Sequence, residues 1–121
     1  ADVLLMYAEA QVRKDGTANS TSLGYINSLR ERANSGSNTS NISLADLTLV
    51  FLLVERSREL HWEAHGRQDL IRFGKYTGGV YNWAWKGNGI NGVPLSDNLK
   101  LFPIPEAALA SNPNLTQNTG Y

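Results

Sequence analysis

The stretch of residues 44–64 constrains the fold more than any other part of this sequence. It contains the unbroken apolar run 49–54, followed by a half that is rich in Glu and Arg. Ser43 stands before it with Asp46 three residues on, a spacing similar to a capping box, and Gly66 follows where a helix end is expected. The pattern predicts a long helix over 44–64, with a buried beginning and a charged end.

Two shorter helices are predicted before it, over residues 2–13 and 22–33. Asp2 is the expected N-cap of the first helix, and apolar residues recur at helical spacing in both. The first helix is apolar on almost every side, so it requires burial against several partners. Because a short polar loop after Gly16 joins them, the two helices resemble one unit of a helical repeat.

The C-terminal part has a different composition. Residues 74–101 are rich in Gly and Asn, which favours irregular structure, and short helices are predicted only over 68–73 and 105–110. Pro105 stands at the start of the last one, where its missing N–H is tolerated. With 121 residues, the chain suits one all-α domain, residues 1–121: a helix pair, a long third helix and a mostly irregular C-terminal tail.

The composition excludes several classes of function. Eleven basic and eleven acidic residues give a net charge of zero, and no basic stripe interleaved with aromatics occurs, which argues against nucleic-acid binding. The lack of cysteine excludes disulfides, thiolate metal sites and a lipid-bearing cysteine within these residues. Serine-nucleophile and dinucleotide-binding glycine motifs are also missing. We therefore expect no cofactor.

Acidic residues at helical spacing form the first candidate site. Glu55, Glu59 and Glu63 lie at i, i+4 and i+8 on one helix face, where a catalytic array would lack partners from a second helix. Buried charges are usually paired, and Glu55–Arg58 and Glu63–Arg67 have the spacing for it. We therefore assign no catalytic residue and expect a structural ion-pair network. Its expected members are Glu55, Arg56, Arg58, Glu59, Glu63, Arg67, Asp69 and Arg72.

The charged segment also raises the possibility of a metal site. His61 and His65 have the i, i+4 spacing at which two imidazoles can share a metal ion. The chain has no other histidine and no cysteine, so this pair supplies too few ligands for a protein zinc site. We expect no bound metal.

An aromatic cluster in the Gly-rich segment is the remaining candidate. Tyr81, Trp83 and Trp85 alternate along the chain, and in an extended backbone the two indoles would share a face. Flat indoles beside asparagine amides suit a sugar platform, in which apolar C–H faces stack and hydroxyls bond to amides. The alternative is that these large side chains anchor an irregular tail by packing. Both interpretations remain open at this point.

Several motifs occur in a recognisable order along the chain. The charged segment reads Glu55-Arg56, Glu59-Leu60 and Trp62-Glu63, then His65 and Arg67-x-Asp69-Leu70-Ile71-Arg72. The flanking motifs are Tyr7-Ala8-Glu9-Ala10, Asn27-x-x-Arg30-x-Arg32-Ala33, Tyr81-x-Trp83-x-Trp85-Lys86-Gly87, Leu101-Phe102-Pro103-Ile104-Pro105 and a terminal stretch from Asn112 to Tyr121. Together they resemble the SusD/RagB family. Ala64 and Gly66 depart from its usual Gly and Arg, and Thr119 from its usual Pro.

The resemblance implies a mostly α-helical fold with tetratricopeptide-like helix pairs. It also implies a bacterial lipoprotein on the outer face of the outer membrane, which binds oligosaccharides, or sometimes peptides, beside a TonB-dependent, SusC-like transporter. Much of the family's glycan platform lies upstream of the segment represented here. The chain is therefore expected to be the C-terminal part of such a domain, without its N-terminal part or its lipid anchor.

Three functions are compared on this basis. The first is glycan capture and hand-over without chemistry, which the resemblance favours. The second is a helical-repeat module that docks to a protein and has no ligand site of its own. The third is a carboxylate-dependent hydrolase, which requires two unpaired acids in a cleft. The third is disfavoured because the acids here have arginines at pairing distance along the helix.

Overall fold

The computed structural model describes residues 1–121 and is all-helical, which confirms the predicted fold class. It has no extended strand, and a single isolated antiparallel bridge joins Gly78 and Leu95. The chain divides into two compact units, a helical unit of residues 1–66 and a tail unit of residues 67–121. The α-helices are α1 (Asp2–Asp15), α2 (Ser20–Ala33), α3 (Leu49–Glu59), α4 (Gly66–Arg72) and α5 (Glu106–Ser111). Short 3-10 turns lie at Asn38–Ser40, Lys86–Asn88 and Asp97–Lys100.

The helical unit is organised around α1, which packs against both α2 and α3. Leu5, Ala8 and Val12 form one buried stripe along α1, and they pack in a cluster that includes Ile26 of α2 and Leu52 of α3. The other sides of α1 are not covered within this unit, where Val3, Met6 and Tyr7 remain exposed. The apolar surface of α1 is therefore only partly used here.

The start of α1 differs from its predicted form. Ala1, not Asp2, occupies the N-cap position, and no side chain caps the helix. Asp2 lies inside the first turn and forms an ion pair with Arg56 of α3, with Oδ1 2.9 Å from Nη1. The acidic residue still stands where the helix dipole favours it, and it also links the beginning of α1 to α3.

The second helix begins two residues before the expected position 22. Asn19 is its N-cap, and its side-chain Oδ1 accepts a hydrogen bond from the Ser22 amide at 2.9 Å. The Asn19 amide donates in return to Ser22 Oγ at 3.1 Å. This reciprocal capping box satisfies two backbone donors that a helix end would leave free, which explains the earlier start.

The prediction of one helix over 44–64 was too long at both ends. At its start, Ser43 donates from its amide and its hydroxyl to Asp46, at 2.9 and 2.6 Å, but these bonds close a turn instead of capping a helix. Thr48 is the N-cap, and its Oγ1 accepts from the Phe51 amide at 3.2 Å. A second cap closer to the apolar run therefore begins α3 five residues late.

The same helix ends at Glu59, before the expected Gly66. Leu60 is its C-cap, and the turn that follows places Trp62 at φ +69° and Ala64 at φ +62°. Left-handed backbone at two residues that carry a Cβ is incompatible with a continuing helix. Gly66 then begins α4 and does not terminate α3.

The tail unit contains α4 from its second residue onward, the short helix α5 and long connecting loops. The structure has α4 at 66–72 and α5 at 106–111, within two residues of the predicted 68–73 and 105–110. Pro105 occupies the N-cap position of α5, one residue before the place expected for it. No helix of either unit combines the length and the apolar composition that a membrane crossing requires.

Candidate ligand platform and ion-pair network

The three aromatic residues lie in a closed loop of residues 78–95, called here the aromatic loop. Its ends meet where the Gly78 amide donates to the Leu95 carbonyl at 2.9 Å. Just outside this closure, Thr77 Oγ1 donates to Asp97 Oδ1 at 2.5 Å. The base of the loop is thus fastened by one backbone bond and one side-chain bond.

Lys86 lies at the centre of the aromatic loop. It is 2% exposed and is among the most completely buried large side chains of the protein. Its ammonium donates to the carbonyl oxygens of Tyr81 at 2.6 Å and Gly78 at 3.4 Å. The ammonium also lies 4.9 Å from the ring centroid of Trp83, within the range of a cation–π contact.

The three aromatic rings of the loop have different surroundings. The rings of Tyr81 and Trp83 lie 5.8 Å apart at an interplanar angle of 49°, and both are partly exposed. Trp85 is 66% exposed, and its backbone is left-handed at φ +69°. The extended conformation that would place both indoles on one face is therefore absent, because the chain reverses at Trp85.

The loop offers chemistry that suits a sugar. The exposed indole of Trp85 presents apolar area with a polar N–H at its edge. The asparagines of the same loop, Asn82, Asn88 and Asn91, are all exposed, so their amides are available to hydroxyl groups.

The predicted ion-pair network exists in part, but its main partners come from α2. Glu55 is buried and accepts from Arg30 Nη1 at 2.6 Å and from Arg58 Nη1 at 3.1 Å. Glu59 pairs with Arg32. Arg30 and Arg32 were missing from the predicted network, although both belong to the Asn-x-x-Arg-x-Arg motif of α2.

The remaining residues of that motif fasten the loop after α2. Asn27 brackets Ile42, donating from Nδ2 to its carbonyl at 3.1 Å and accepting from its amide at 3.0 Å. Arg30 Nε donates to the Ser40 carbonyl at 2.5 Å. One helix face therefore holds both α3 and the loop that leads to it.

The expected Glu63–Arg67 pair does not form. The helix that would have placed them one turn apart ends at Glu59, and Glu63 is exposed in the turn that follows. Arg67 instead donates to the carbonyls of Leu99 at 2.8 Å and Lys100 at 3.1 Å. Its guanidinium also lies 4.3 Å from the ring centroid of Phe102, so it is a contact within the tail unit.

The last predicted members lie in α4 and α3. Asp69 is buried and accepts from Arg72 Nη2 at 2.7 Å, an i, i+3 pair within α4. Arg56 is buried and pairs with Asp2. Of the two histidines, His61 lies with its ring 6.0 Å from that of Trp62. The structure brings no three His, Cys, Asp or Glu side chains together as metal ligands.

Comparison with known proteins gives a family match across the whole chain. The model of the SusD family matches residues 1–121. The starch-binding protein SusD of Bacteroides thetaiotaomicron is 36% identical over 121 residues, which are all of this chain and 20% of that protein. The SusD-like protein P2 of Formosa agariphila is 34% identical over 130 residues, which cover all of this chain and 25% of that protein. The chain thus spans a fifth to a quarter of these relatives' length.

Solved structures agree with the sequence comparison. A SusD superfamily protein from Parabacteroides distasonis is similar with a TM-score of 0.68 at 33% identity, over 99% of this chain and 26% of that one. Surface glycan-binding protein A from Bacteroides thetaiotaomicron is similar with a TM-score of 0.73 at 27% identity, over 98% and 23%. These matches confirm the resemblance drawn from the motifs: the chain belongs to the SusD family.

Proposed function

We propose that the protein binds oligosaccharides for nutrient uptake and performs no chemistry on them. The observation that carries this proposal is the SusD family match over all 121 residues, together with 36% identity to a starch-binding protein. Surface glycan-binding protein A, a second relative with a glycan in its name, shares the fold at a TM-score of 0.73. A glycan is therefore the ligand class that the relatives favour.

The place of action in this proposal is the extracellular face of the bacterial outer membrane. The motifs that resemble the SusD/RagB family imply a lipoprotein there, working with a TonB-dependent, SusC-like transporter that imports what it captures. In this arrangement the protein releases its ligand chemically unchanged. A binding role is also supported by the pairing of the α3 acids, since Glu55 and Glu59 are both bonded to arginines and neither is free to act as a general base.

Within this chain we propose the aromatic loop as a ligand contact, with Trp85 as its principal residue and Tyr81 and Trp83 as supporting residues. Trp85 has the most exposed of the three rings, and it is the one whose indole has no ring or cation partner. A sugar that stacks on it would remove apolar indole area from water, while the loop amides supply hydrogen bonds.

The test is native affinity electrophoresis in gels that contain soluble starch, dextran or a β-glucan. The variant is Trp85→Gly, because glycine accepts φ +69° without strain and removes the indole cleanly. Trp62→Gly is a matched control: Trp62 has the same φ of +69° and is 92% exposed, but it lies in the helical unit. We expect retardation of wild type and Trp62→Gly, and roughly tenfold weaker binding by Trp85→Gly.

Three results would count against the proposal. Absence of retardation by every glycan, with helical circular dichroism intact, would oppose glycan binding by these residues. Equal retardation of wild type and Trp85→Gly would instead leave glycan binding standing and reject the aromatic loop as its site. Loss of retardation in Trp62→Gly would move the contact to the helical unit.

A further inference from the structure

Lys86 is a buried cation without an acidic partner. No carboxylate lies within ion-pair distance of its ammonium, whose contacts are the carbonyls of Tyr81 and Gly78 and the indole of Trp83. Lysine is almost never fully buried unless its charge is compensated, so its position requires an explanation. We propose that Lys86 is the positioning residue of the platform: its ammonium holds the aromatic loop in the conformation that exposes Trp85 to a sugar. This inference rests on the proposed function and deepens it.

The main chain of Lys86 supports the same role. Its amide donates to the Trp83 carbonyl at 3.1 Å, and its carbonyl accepts from the amides of Gly89 at 3.3 Å and Val93 at 2.8 Å. Side chain and backbone together therefore connect this residue to the part of the loop before it, residues 78–83, and to the part after it, residues 89–93. The 3-10 turn that begins at Lys86 is the only regular secondary structure in the loop, so these bonds are needed to fix its conformation.

Burial shows why a lysine is needed at this place. No other residue of the aromatic loop is buried, so the loop has no apolar core of its own. The four-carbon stem of Lys86 fills the interior, and the ammonium at its end satisfies carbonyls that face inward. A methyl group added at Gly92 would lie 2.5 Å from the Trp83 carbonyl oxygen, so the backbone segments before and after Lys86 approach each other closely at this point.

The backbone at Trp85 links this lysine to the exposed indole. A left-handed conformation is costly for a residue with a Cβ and persists only where the surroundings impose it. Here it turns the chain so that Lys86 enters the loop while the preceding side chain remains outside. Because a fixed ring loses less conformational entropy on binding than a mobile one, the anchor of Lys86 would strengthen sugar stacking on Trp85.

The first measurement requires no variant and no sugar. Proton exchange of the lysine ammonium groups, followed by NMR in wild type, compares Lys86 with the exposed Lys14 of α1. Hydrogen-bonded and buried, the Lys86 ammonium should exchange at least about tenfold more slowly. Equal exchange rates for the two ammonium groups would overturn the inference.

The second measurement uses Lys86→Met, which keeps the length and apolar stem of the side chain but removes its ammonium donors. The indole N–H signals of Trp83 and Trp85 should move towards those of an unstructured chain, and starch retardation should weaken roughly tenfold, with the helical circular dichroism unchanged. Gln117→Ala is the matched control, because it removes a hydrogen-bonding side chain from the tail unit at a distance from the loop in sequence. It should keep both the indole signals and the retardation.

The outcomes separate this inference from the proposed function. Displaced indole signals with undiminished retardation in Lys86→Met would reject the positioning role and leave glycan binding in place. Unchanged signals would reject it as well. If wild type binds no glycan while its Lys86 ammonium is protected and the indole signals of Lys86→Met are displaced, the lysine holds the loop, and it is the sugar-binding part of both proposals that fails.

Discussion

The helical unit of this protein has a buried apolar cluster, and the tail unit has none. Every fully buried apolar residue lies in the helical unit, in the cluster formed by Leu5, Ala8, Val12, Ile26, Leu29, Leu47, Leu52 and Leu60. The buried residues of the tail unit are Asp69, Thr77 and Lys86, all of them polar. The helical unit is therefore stabilised chiefly by removing apolar area from water, and the tail unit by hydrogen bonds with defined geometry.

Several hydrogen bonds of the tail unit share one pattern, in which a side chain takes the place of a neighbouring strand or helix turn. Gln117 bonds to both the amide and the carbonyl of Ile104, at 2.8 and 2.9 Å. Asn118 donates to the Phe102 carbonyl at 2.7 Å, and the Tyr121 hydroxyl to the Leu101 carbonyl at 2.8 Å. Backbone groups that have no regular partner are thereby satisfied. The comparison teaches that an irregular segment can be specified residue by residue without an apolar core.

The largest effect is expected from the core of the helical unit. Leu52 is 0% exposed, so Leu52→Ala should lower the free energy of unfolding by about 2–5 kcal/mol through lost burial and a residual cavity. Urea denaturation followed by circular dichroism at 222 nm measures this. Val50→Ala, on the exposed side of the same helix, should change stability by less than about 0.5 kcal/mol. Equal effects of the two substitutions would show that α3 does not pack as described.

A smaller effect is expected at the buried charge that joins two helices. Glu55→Gln keeps the shape of the side chain but weakens its bonds with Arg30 and Arg58, and should cost about 1.5–3 kcal/mol in the same denaturation experiment. Glu63→Gln is the control, because Glu63 is exposed and unpaired, and it should be neutral within about 0.5 kcal/mol. If Glu55→Gln left the free energy of unfolding unchanged, the pair with Arg30 would contribute no net stability.

In the tail unit, replacing a single side chain should lower the free energy of unfolding less, and its effect on hydrogen exchange should be confined to neighbouring amides. Gln117→Ala removes the bonds to Ile104 and one from the Asn118 amide, and should cost about 1–2 kcal/mol. Hydrogen exchange should show lost protection at the amides of Ile104 and Asn118, with the α1 and α3 amides unchanged. Asn114→Ala serves as the control, because it removes an exposed side-chain amide that makes no hydrogen bond. Loss of protection throughout the chain would contradict the separation into two units.

Periodicity predicted the helical unit because apolar side chains at a 3.6-residue spacing report burial directly. The predicted limits of α3 were wrong for two reasons. Thr48, not Ser43, is the N-cap, and the left-handed turn after the helix is formed by Trp62 and Ala64 and not by glycine, the residue that usually indicates such a turn. Arg30 and Arg32 were overlooked as partners of α3, since helical spacing within one helix cannot show which neighbouring helix supplies a charge.

The aromatic loop was predicted by composition but its geometry was not. Tyr81, Trp83 and Trp85 were identified as a candidate platform, and the sequence alone could not distinguish a stacking indole from a packing one. Lys86 was missed as a structural residue because a lysine in a Gly-rich loop is expected in solvent. The convergence of carbonyls on its ammonium is visible only in the folded structure, so no sequence signal was available for it.

The smallest predicted effect compares one carboxylate from each unit. Hydrogen bonds from the Ser43 hydroxyl and amide hold the pKa of Asp46 below its ordinary value of 3.8. For Asp97 the pKa is lowered first by the hydrogen bond from Lys100, then by the one from Thr77 and by the charge of Lys100. Because both folded-state pKa values are depressed, each carboxylate contributes stability that is present above its unfolded pKa and is lost as the pH falls through its folded pKa.

Salt should affect the pKa values of Asp46 and Asp97 differently, since only the Asp97 carboxylate is stabilised by a cation. Carboxyl carbon NMR titrations at about 0.02 M and about 1 M NaCl should show the Asp97 midpoint moving up towards 3.8 in high salt, because the exposed contact with Lys100 is screened. The Asp46 midpoint should move much less, since its donors are neutral. Lys100→Met should abolish the salt dependence of Asp97 and leave the contribution of Thr77. Equal salt shifts at both carboxylates would show that Lys100 does not stabilise the Asp97 carboxylate, and that the bond from Thr77 at the base of the aromatic loop forms without help from that cation.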